Sequence, residues 1–497
     1  MKFLVISPQE AVRKENICIP LFQNDPLDKE EFFTLLSKPV QSMLLEFARS
    51  DFKGEEGETT LLWNGACLPR RIMLVGLGER AKWNERKHHL LSRRFVQFAR
   101  AHRLPEFASM LPSFLPHDRK QAAILFGTNA MMGAFEFTKY KSEQKKDVPE
   151  LKTIYLGVPR RDQSAVDVGL SESLILGEET NLCRELANTP GSEMTPTLLA
   201  AAAGVCARRT GMRITVLGVK EIEKLGMGGV LGVGKGSSEK PKFIILEYLK
   251  GSKNQKLLVL AGKGVTFDTG GINLKPDTHI LDMHMDMSGG AAVIHGMAAV
   301  AQLKLPINVV GLIPAVENMP SGSSYRPGDL LKSLSGKVIE VLNTDAEGRI
   351  ILADALTYGL RYKPEIMIDF ATLTGAAHVA LGSHCSAVFS NDERLLEGLI
   401  SIGNHSGDYV WPLPLWDEYL PEIKGQFGDL ANVGRTDRYG GAIHGAKFLE
   451  QFAGNTRFAH IDIAPRMTTV EGEFLAKGAS GVGVRFIVEL AKEYHKL

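Results

Sequence analysis

The stretch KLLVLAGKGVTFDTGGINLKP, residues 256–276, decides the fold class of the larger part of the chain. A buried strand runs there directly into a glycine-rich loop, and from about residue 190 onward similar strands alternate with helices. The other predicted strands are RITVLG, KFIILEY, NVVGLIP, KVIEVLN, IMIDFA and FAHIDIA, and the predicted helices are AAVIHGMAAVAQL, ILADALTYGLRY and VRFIVELAKEY. This alternation predicts a doubly wound α/β domain with a mostly parallel central sheet, which binds ligands beyond the carboxyl ends of its strands.

The N-terminal part of the chain predicts a second, smaller α/β domain over residues 1–165. Apolar runs of strand length occur at KFLVI, RIMLVGLG, AAILFG and KTIYLGV, and residues 32–52 have apolar positions at helical spacing. Residues 166–189 carry apolar positions near every third or fourth residue and predict a linker helix. The larger domain then covers residues 190–497.

Composition and charge exclude several classes of function. The chain has 58 basic and 57 acidic residues, a net charge of +1, so no overall field would attract nucleic acid or an anionic membrane. Its 5 cysteines are scattered without a CxxC pair, which favours a reducing compartment, and we expect a cytoplasmic protein. No segment reaches about 18 uninterrupted apolar residues, and the N-terminus lacks a secretory apolar region, so no membrane span is predicted.

Acidic residues follow several predicted strands of the larger domain. In NTDAEGR, residues 343–349, Asp345, Glu347 and Arg349 would share one face of an extended segment. Asp268 and Asp286 belong to loops at other strand ends. Carboxylates packed together are costly unless a cation lies between them, and oxygen ligands suit divalent metals. Four carboxylates exceed what one metal ion usually takes, so the pattern favours two ions about 3.5–4 Å apart.

Two lysines lie in the same glycine-rich loop as Asp268. A lysine amine binds a metal only when it is neutral, which requires burial next to a dication, whereas a lysine that stays charged can polarise a carbonyl oxygen. Taken singly, each aspartate of these loops is more typical of a turn or cap, and Arg349 of a surface ion pair. The loop GVGKGSS lacks a complete phosphate-loop pattern, and the histidines lack metal-ligand spacing, which favours packing roles for His284, His295, His444 and His460.

Taken together, these motifs make the sequence resemble the leucine aminopeptidase family, the cytosolic M17 metallopeptidases. NTDAEGR is the most specific match and GKGVTFDTGGINLKP the second. Further matching segments are ENMPSGSSYRPGD (317–329), DFATLTGAA (369–377), DLANVG (429–434) and GASGVGVR (478–485). The resemblance covers residues from about 180 to 497, whereas the first 165 residues resemble the family only in size and α/β pattern.

The resemblance implies specific roles for the residues of these motifs. The family's metal ligands fall on Lys263, Asp268, Asp286, Asp345 and Glu347, with two divalent ions, Mn²⁺ or Zn²⁺, in each subunit. The two catalytic positions fall on Lys275 and Arg349, and Arg349 would hold a bicarbonate ion as general base. Met283, Thr372 and Leu373 match positions that flank the substrate side chain. The resemblance further implies a homohexamer that acts on peptides.

The sequence departs from the family pattern at several positions. Thr269 and Asn273 stand where serine is common, and Ser192 and Glu193 stand where asparagine and an apolar or basic residue are often found. His284 stands where lysine or arginine is usual, two residues before a metal-binding aspartate. His444 and Lys447 stand where small residues are usual, in IHGAKFL. Lys447 is therefore a candidate for altering the substrate pocket.

The function predicted from these observations is that of a two-metal aminopeptidase with a leucine-type preference. A two-metal phosphohydrolase is the alternative enzyme class, although it would use more histidine ligands than this sequence offers. A binding protein on a retired peptidase scaffold is the second alternative, and the intact set of seven metal and catalytic residues argues against it.

Overall fold

The computed structural model describes residues 1–29, 31–65, 67–115, 118–142, 150–252, 255–435 and 439–497. By its internal contacts the chain divides into two compact units. The N-terminal unit consists of Met1–Glu178 and Glu471–Ala476, and the C-terminal unit consists of Glu179–Val470 and Lys477–Leu497.

The N-terminal unit is an α/β layer structure around one sheet. Its elements are β1 (Lys2–Ile6), α1 (Pro8–Ala11), β2 (Asn16–Leu21), α2 (Lys38–Ser50), β3 (Thr59–Trp63), β4 (Arg71–Gly76), α3 (Glu85–Ala101), β5 (Glu106–Met110), α4 (Arg119–Ala134), β6 (Thr153–Gly157) and the first part of α5 (Gln163–Asn188). The strand order is β1-β6-β5-β2-β4-β3. Neighbouring strands are parallel except at the edge, where β3 is antiparallel to β4.

One predicted strand of this unit is wrong. AAILFG, residues 122–127, lies inside helix α4. The side chain of Asp118 accepts hydrogen bonds from Lys120 N (2.9 Å) and Gln121 N (3.2 Å), so the helix begins at Arg119, three residues before this run. A short apolar run that is buried on all sides has the same pattern in a helix and in a central strand, so periodicity alone could not separate the two.

Helix α5 occupies the segment predicted as a linker helix. It runs over Gln163–Asn188, and the division between the two units falls within it, after Glu178. The domain bounds at residues 165 and 189 stay predictions. No helix in the described ranges combines the length and apolarity needed to span a bilayer.

The C-terminal unit contains the remaining elements. They are α6 (Pro196–Thr210), β7 (Arg213–Leu217), α7 (Val219–Leu225), α8 (Gly228–Gly234), β8 (Lys242–Leu249), β9 (Leu258–Gly262), β10 (Gly264–Asp268), α9 (Asp277–Ile280), α10 (Ser288–Gln302), β11 (Asn308–Asn318), β12 (Leu330–Lys332), β13 (Val338–Glu340), α11 (Gly348–Gly359), β14 (Ile366–Ala371), α12 (Gly375–Leu381), β15 (Ser386–Ser390), α13 (Glu393–Ser406), β16 (Val410–Pro412), β17 (Leu430–Ala431), α14 (Gly441–Glu450), β18 (Arg457–Asp462) and α15 (Val484–Glu493).

The central sheet of this unit has the order β16-β15-β18-β14-β9-β11-β8-β7, with β10 also paired to β11. Its middle strands β18, β14, β9 and β11 are parallel, and antiparallel pairs occur toward both edges. The predicted α/β fold class is therefore confirmed. The predicted strand KVIEVLN contributes β13 to a separate small sheet, β12-β13-β17, rather than to the central one.

The core against the central sheet is fully buried. Val259 on β9, Leu312 on β11 and Met367 on β14 pack in one cluster with Ile350 of α11, each with 0% exposure. Burial of side chains of this size stabilises a fold by roughly 1.5–3 kcal/mol each. The loops that leave these strands are thus attached to a rigid base.

Candidate active site

The chemically distinctive loops meet at the carboxyl ends of the central strands. Lys263 directly follows β9, Asp268 ends β10, and Thr372 follows β14. Asp286 lies two residues before α10, and Glu347 lies one residue before α11. Parallel strands present their carboxyl ends at the same edge, so residues far apart in the sequence come together there.

The first part of the cluster is centred on the Lys263 amine. Its Nζ lies 2.8 Å from Asp286 Oδ2 and 2.7 Å from Glu347 Oε1. It also donates hydrogen bonds to Asp286 Oδ1 (2.8 Å) and to the carbonyl oxygen of Thr372 (2.9 Å). The side chains of the three charged residues are at most 4% exposed. Two carboxylates and one amine therefore share a site from which water is nearly excluded.

The second part of the cluster is centred on the Lys275 amine. Its Nζ lies 2.8 Å from Asp268 Oδ2 and 2.5 Å from Asp345 Oδ1. Gly270 and Gly271, at φ of 88° and 67°, reverse the chain after β10 and bring Lys275 back over Asp268. The Asp345 side chain is 34% exposed, so this part of the cluster is more open than the part around Lys263.

The predicted geometry of NTDAEGR is wrong, although its residues do reach the site. Asp345 lies in a turn, Glu347 has helical dihedrals (φ −76°, ψ −36°), and Arg349 is inside α11. The three side chains therefore do not share one face of an extended segment. Because the chain turns and enters a helix, Asp345 contacts Lys275 while Glu347 contacts Lys263.

A polar framework, a set of hydrogen bonds that the sequence did not predict, joins the loop after β10 to the loop before α11. Thr344 N donates to Asn273 Oδ1 (2.9 Å), and Asn273 N donates to Thr344 Oγ1 (2.8 Å). Asn318 Nδ2 donates to Asp268 Oδ1 (2.8 Å) and to the carbonyl oxygen of Thr344 (3.0 Å), which also accepts from the Tyr325 hydroxyl (2.6 Å). Asn318 and Tyr325 belong to ENMPSGSSYRPGD, so this motif contributes side chains to the framework that positions the loops of the site.

Crowded charge is the main electrostatic property of the site. Burial raises the pKa of Asp286 to about 7 against the opposing effect of Lys263, and burial also raises the pKa of Glu347. Burial alone would lower the pKa of Lys263 and of Lys275, but the surrounding carboxylates raise both above their ordinary values. The carboxylates thus require positive charge among them, and a divalent cation would meet that requirement.

The donor set fits divalent metal ions. One carboxylate oxygen each from Asp268, Asp286 and Glu347 lies within 4.8 Å of the others, and all three residues are buried. Apart from their contacts with the Lys263 amine, Asp286 Oδ2 and Glu347 Oε1 have no hydrogen-bond partner in the described ranges. Buried carboxylate oxygens need positive charge beside them, and hard divalent cations prefer oxygen ligands of this kind.

Arg349 lies beside the carboxylates without pairing to them. Its Nη1 donates to the carbonyl oxygen of Asn432 (2.9 Å), and its Nε has no hydrogen-bond partner among the described residues. Burial lowers the pKa of Arg349 to about 10. A Cβ on Gly445 would lie 3.3 Å from Arg349 Nη2 and 3.0 Å from Leu373 Cδ2, so a side chain there would press on the guanidinium. Buried guanidinium donors without a carboxylate partner suit a small planar oxyanion.

The predicted pocket residues lie around the same cluster. Thr372 Oγ1 donates to Asp286 Oδ1 (2.6 Å), and Met283 is half-buried on the turn before Asp286. Leu373 N donates to Asp462 Oδ1 (3.1 Å), an interaction that the sequence reasoning missed. The buried Asp462, at the end of β18, also accepts from Thr374 N (3.4 Å) and Thr374 Oγ1 (2.7 Å). Asp462 thus holds the loop that carries the pocket residues.

Two of the residues that depart from the family pattern, His444 and Lys447, have partners away from the metal cluster. Lys447 is 1% exposed, and its Nζ contacts Asp417 Oδ1 and Glu450 Oε2, each at 2.7 Å. His444 Nε2 lies 2.6 Å from Glu422 Oε2. His284 is half-buried, and burial lowers its pKa. Lys447 therefore enters an ion-pair group, whereas Gly445, on the same helix, faces Arg349 and Leu373.

A second group of buried side chains could in principle hold a metal ion, with ligand atoms from Glu179, Cys206 and His295. Glu179 already contacts His295 Nδ1 at 2.8 Å and Arg209 Nη2 at 2.5 Å. Arg209 thus supplies the positive charge beside the buried Glu179 carboxylate. The contact between His295 and Glu179 agrees with the packing role predicted for His295.

Comparison with known proteins matches both parts of the chain to one family. The profile of the cytosol aminopeptidase family, catalytic domain, matches residues 181–488, and that of the same family's N-terminal domain matches residues 19–144. The chain belongs to the cytosol aminopeptidase family. The resemblance found from the sequence motifs is confirmed, and the chain is an aminopeptidase.

Individual family members match over most of their length. A "Probable cytosol aminopeptidase" of Roseiflexus castenholzii is 42% identical over 451 residues, which cover 89% of this chain and 91% of that one. A protein of the same name from Chlorobaculum tepidum is 41% identical over 509 residues, with 99% of each chain covered. The solved structure "Bottromycin maturation enzyme BotP in complex with Mn" has 28% identity and a TM-score of 0.83, with 97% of this chain and 99% of that one covered.

Proposed function

We propose that this aminopeptidase is a two-metal enzyme that releases N-terminal residues, with a leucine-type preference, from peptides. The observation that carries the proposal is the convergence of four carboxylates and two amines at one sheet edge, where Asp286 Oδ2 and Glu347 Oε1 have no partner in the described part of the chain other than the Lys263 amine. BotP was solved in complex with Mn, which supports Mn²⁺ for this chain, and Zn²⁺ suits the same ligands.

The metal ligands would be Lys263, Asp268, Asp286, Asp345 and Glu347. Divalent ions held there supply Lewis acidity, which polarises a carbonyl group and lowers the pKa of water to about 7. Asp268 and Glu347 would be shared between the ions, and the more exposed Asp345 would complete the more exchangeable site. Lys263 would act as a neutral ligand. Its carboxylate neighbours favour the charged ammonium form, and a divalent cation among them would remove the need for that charge.

Lys275 and Arg349 would perform the catalytic roles that do not involve metal coordination. The Lys275 ammonium is held by Asp268 and Asp345 at the open side of the cluster, where it can donate to the oxyanion that forms at the scissile carbonyl. Arg349 would hold bicarbonate, which supplies a general base. Its Nη1 bond to the carbonyl oxygen of Asn432 fixes the guanidinium, and Gly445 places no side chain against it.

The substrate side chain would lie against Met283, Thr372 and Leu373. The Asp462 carboxylate fixes the backbone of Leu373, so that this pocket is shaped before a peptide binds. Its apolar members suit an aliphatic residue, which is the basis of the leucine-type preference. Assembly as a homohexamer and a cytoplasmic location remain part of the proposal, and mass photometry of the purified chain tests the assembly.

Hydrolysis of leucine p-nitroanilide compared with p-nitrophenyl phosphate tests the proposed function. Chelator-treated protein should be inactive on both substrates, and added Mn²⁺ should restore cleavage of the anilide alone. Cleavage of the phosphate ester would instead favour the phosphohydrolase alternative. Metal binding without cleavage of any aminoacyl anilide would favour a binding protein on a retired scaffold.

The bicarbonate role has a separate test. Arg349→Ala should slow turnover and keep the metal content of the wild type. Added bicarbonate should speed the wild type at limiting concentration and have little effect on Arg349→Ala. An equal response of both proteins would remove bicarbonate from the proposal and leave the metal site untouched.

A further inference from the structure

The sheet of the N-terminal unit has a topological switch point between β2 and β5. The chain leaves β2 toward β4 on one side, and it leaves β5 toward β6 on the other. Helix α2 belongs to the core on one face of the sheet, whereas α3 and α4 belong to the core on the opposite face. In open α/β sheets, ligands bind at such a point, in the crevice beyond the carboxyl ends of the strands.

A small apolar cavity lies at this switch point. It has a volume of about 90 Å³, and its walls include Phe22 after β2 together with Met110, Leu111 and Phe114 at the end of β5. Phe22 and Phe114 pack edge to face, with ring centroids 5.0 Å apart. A Cβ on Gly157 would lie 2.5 Å from Met110 Sδ, so the glycine lets β6 pack closely against Met110 in the cavity wall.

The size of the cavity limits what it can hold. An apolar cavity of about 150 Å³ holds benzene, so one of about 90 Å³ suits a branched aliphatic group of a few carbons rather than an aromatic ring. The edge-to-face packing of Phe22, Phe114 and Trp83 fixes its wall, with centroid separations of 5.0–5.4 Å. The cavity is therefore preformed rather than opened by a ligand.

Charged groups of both signs line a cleft that adjoins this cavity. The cleft has a volume of about 600 Å³, is lined by Glu10 and Arg160, and shares Pro8, Leu35 and Pro159 with the cavity. Glu10 Oε2 accepts hydrogen bonds from Ser7 N (2.9 Å) and Ser7 Oγ (2.8 Å), which orient the carboxylate. The cavity thus adjoins a cleft that carries a carboxylate held by Ser7 and an exposed guanidinium.

We propose that the N-terminal unit binds a free amino acid with a short aliphatic side chain, such as leucine, isoleucine or valine. The side chain fills the apolar cavity, the α-ammonium group faces Glu10, and the α-carboxylate faces Arg160. An aminopeptidase releases amino acids of this kind, so the unit would sense the product. The binding itself rests on the cavity and the adjoining cleft, and only its meaning as product sensing rests on the proposed leucine-type specificity.

Calorimetric titration of the full chain with L-leucine tests the proposal. Leucine that binds where the substrate binds competes with leucine p-nitroanilide, whereas leucine in the cavity does not, so inhibition kinetics separate the two. Arg160→Ala removes the partner of the carboxylate and should weaken the non-competing site about tenfold or more. It should leave turnover without added leucine unchanged. Arg161→Ala is the matched control, because Arg161 is the next residue and its side chain is 86% exposed.

Ligand analogues test the assigned contacts. L-Leucinamide, which lacks the carboxylate, and L-tryptophan, whose side chain exceeds the cavity, should both bind this site at least tenfold more weakly than L-leucine. Equal leucine affinity in the wild type and Arg160→Ala, or leucine binding that always competes with substrate, would overturn the proposal. A further outcome is that Arg160→Ala loses the specific binding while the wild-type enzyme does not cleave leucyl substrates. The cavity would then still be the binding site, but it would not sense the product.

Discussion

Replacement of Gly348 by alanine would press a methyl group against the side chain of Lys263. Gly348 is the first residue of α11, and a Cβ built on it would lie 2.5 Å from Lys263 Cε and 2.9 Å from both Cδ and Nζ. Lys263 is 3% exposed and held by Asp286 and Glu347, so its amine has little space to move into. Gly348 of NTDAEGR is thus required because a larger residue there would overlap Lys263 of GKGVTFDTGGINLKP.

The size of the effect follows from this overlap. Ordinary contact begins at about 3.4 Å, so the methylene chain of Lys263 has to retreat by roughly 0.9 Å. A misplacement of about 1 Å in a catalytic group can cost about 10²-fold in rate. Alanine favours a helix over glycine by roughly 0.5–1 kcal/mol, so loss of helix stability would not explain the defect. We therefore expect Gly348→Ala to fold normally and to lose about 10²-fold in kcat.

The assay is hydrolysis of leucine p-nitroanilide at saturating substrate, with metal content measured on the same sample. Gly375→Ala is the matched control, because Gly375 also begins a helix beside the site and a Cβ there meets no atom within 4 Å. Gly348→Ala should lose metal and activity, and Gly375→Ala should lose neither. If Gly348→Ala turned over within about threefold of Gly375→Ala with full metal content, Lys263 could not be a precisely placed ligand.

Three further predictions concern single side chains. Lys275→Ala should keep its metals but lose ~10²–10³ in turnover at saturating substrate; a change confined to KM would make the lysine a ground-state binding group. Asp462→Ala should raise KM more than it lowers kcat, because the backbone that it holds through Thr374 loosens; unchanged kinetics would refute that positioning role. The Arg457 hydrogen bonds lower the pKa of Asp392, so this pair adds stability above the unfolded-state pKa of 3.8 and loses it as the pH falls through the folded-state pKa. Asp392→Asn should therefore lower Tm equally at pH 7 and pH 5, and a deficit that persisted undiminished near pH 3 would contradict this linkage.

The sequence predicted the elements that are dictated by buried apolar runs. The helix of residues 484–494 lies close to its predicted place because one of its faces is buried, and the strand of residues 256–262 does so although its residues Leu258–Gly262 are all buried. The failure at AAILFG shows the limit of predicting from such a run. That run is buried without a polar face, so its pattern carries no period that distinguishes helix from strand.

The composition of the candidate site was predictable, but its geometry was not. The carboxylates and lysines of the sequence motifs predicted a site in the same loops that the structure brings together. The carboxylate that each lysine contacts depends on the turn before α11. The prediction that residues 345–349 are extended could not place that turn. Asp462 was missed because it acts on Leu373 across two strands, 89 residues away in sequence. Such contacts leave no local pattern.

The most direct test of the two-metal account is the metal content of Glu347→Gln. Glutamine keeps the shape of the side chain but removes the charge that two ions would share. Elemental analysis after equilibration with Mn²⁺ should find two ions per chain in the wild type and in the control Glu365→Gln, whose side chain pairs at the surface with Lys256. In Glu347→Gln it should find both ions depleted and most activity lost while the chain stays folded. Two tightly held ions together with wild-type turnover in Glu347→Gln would contradict the account.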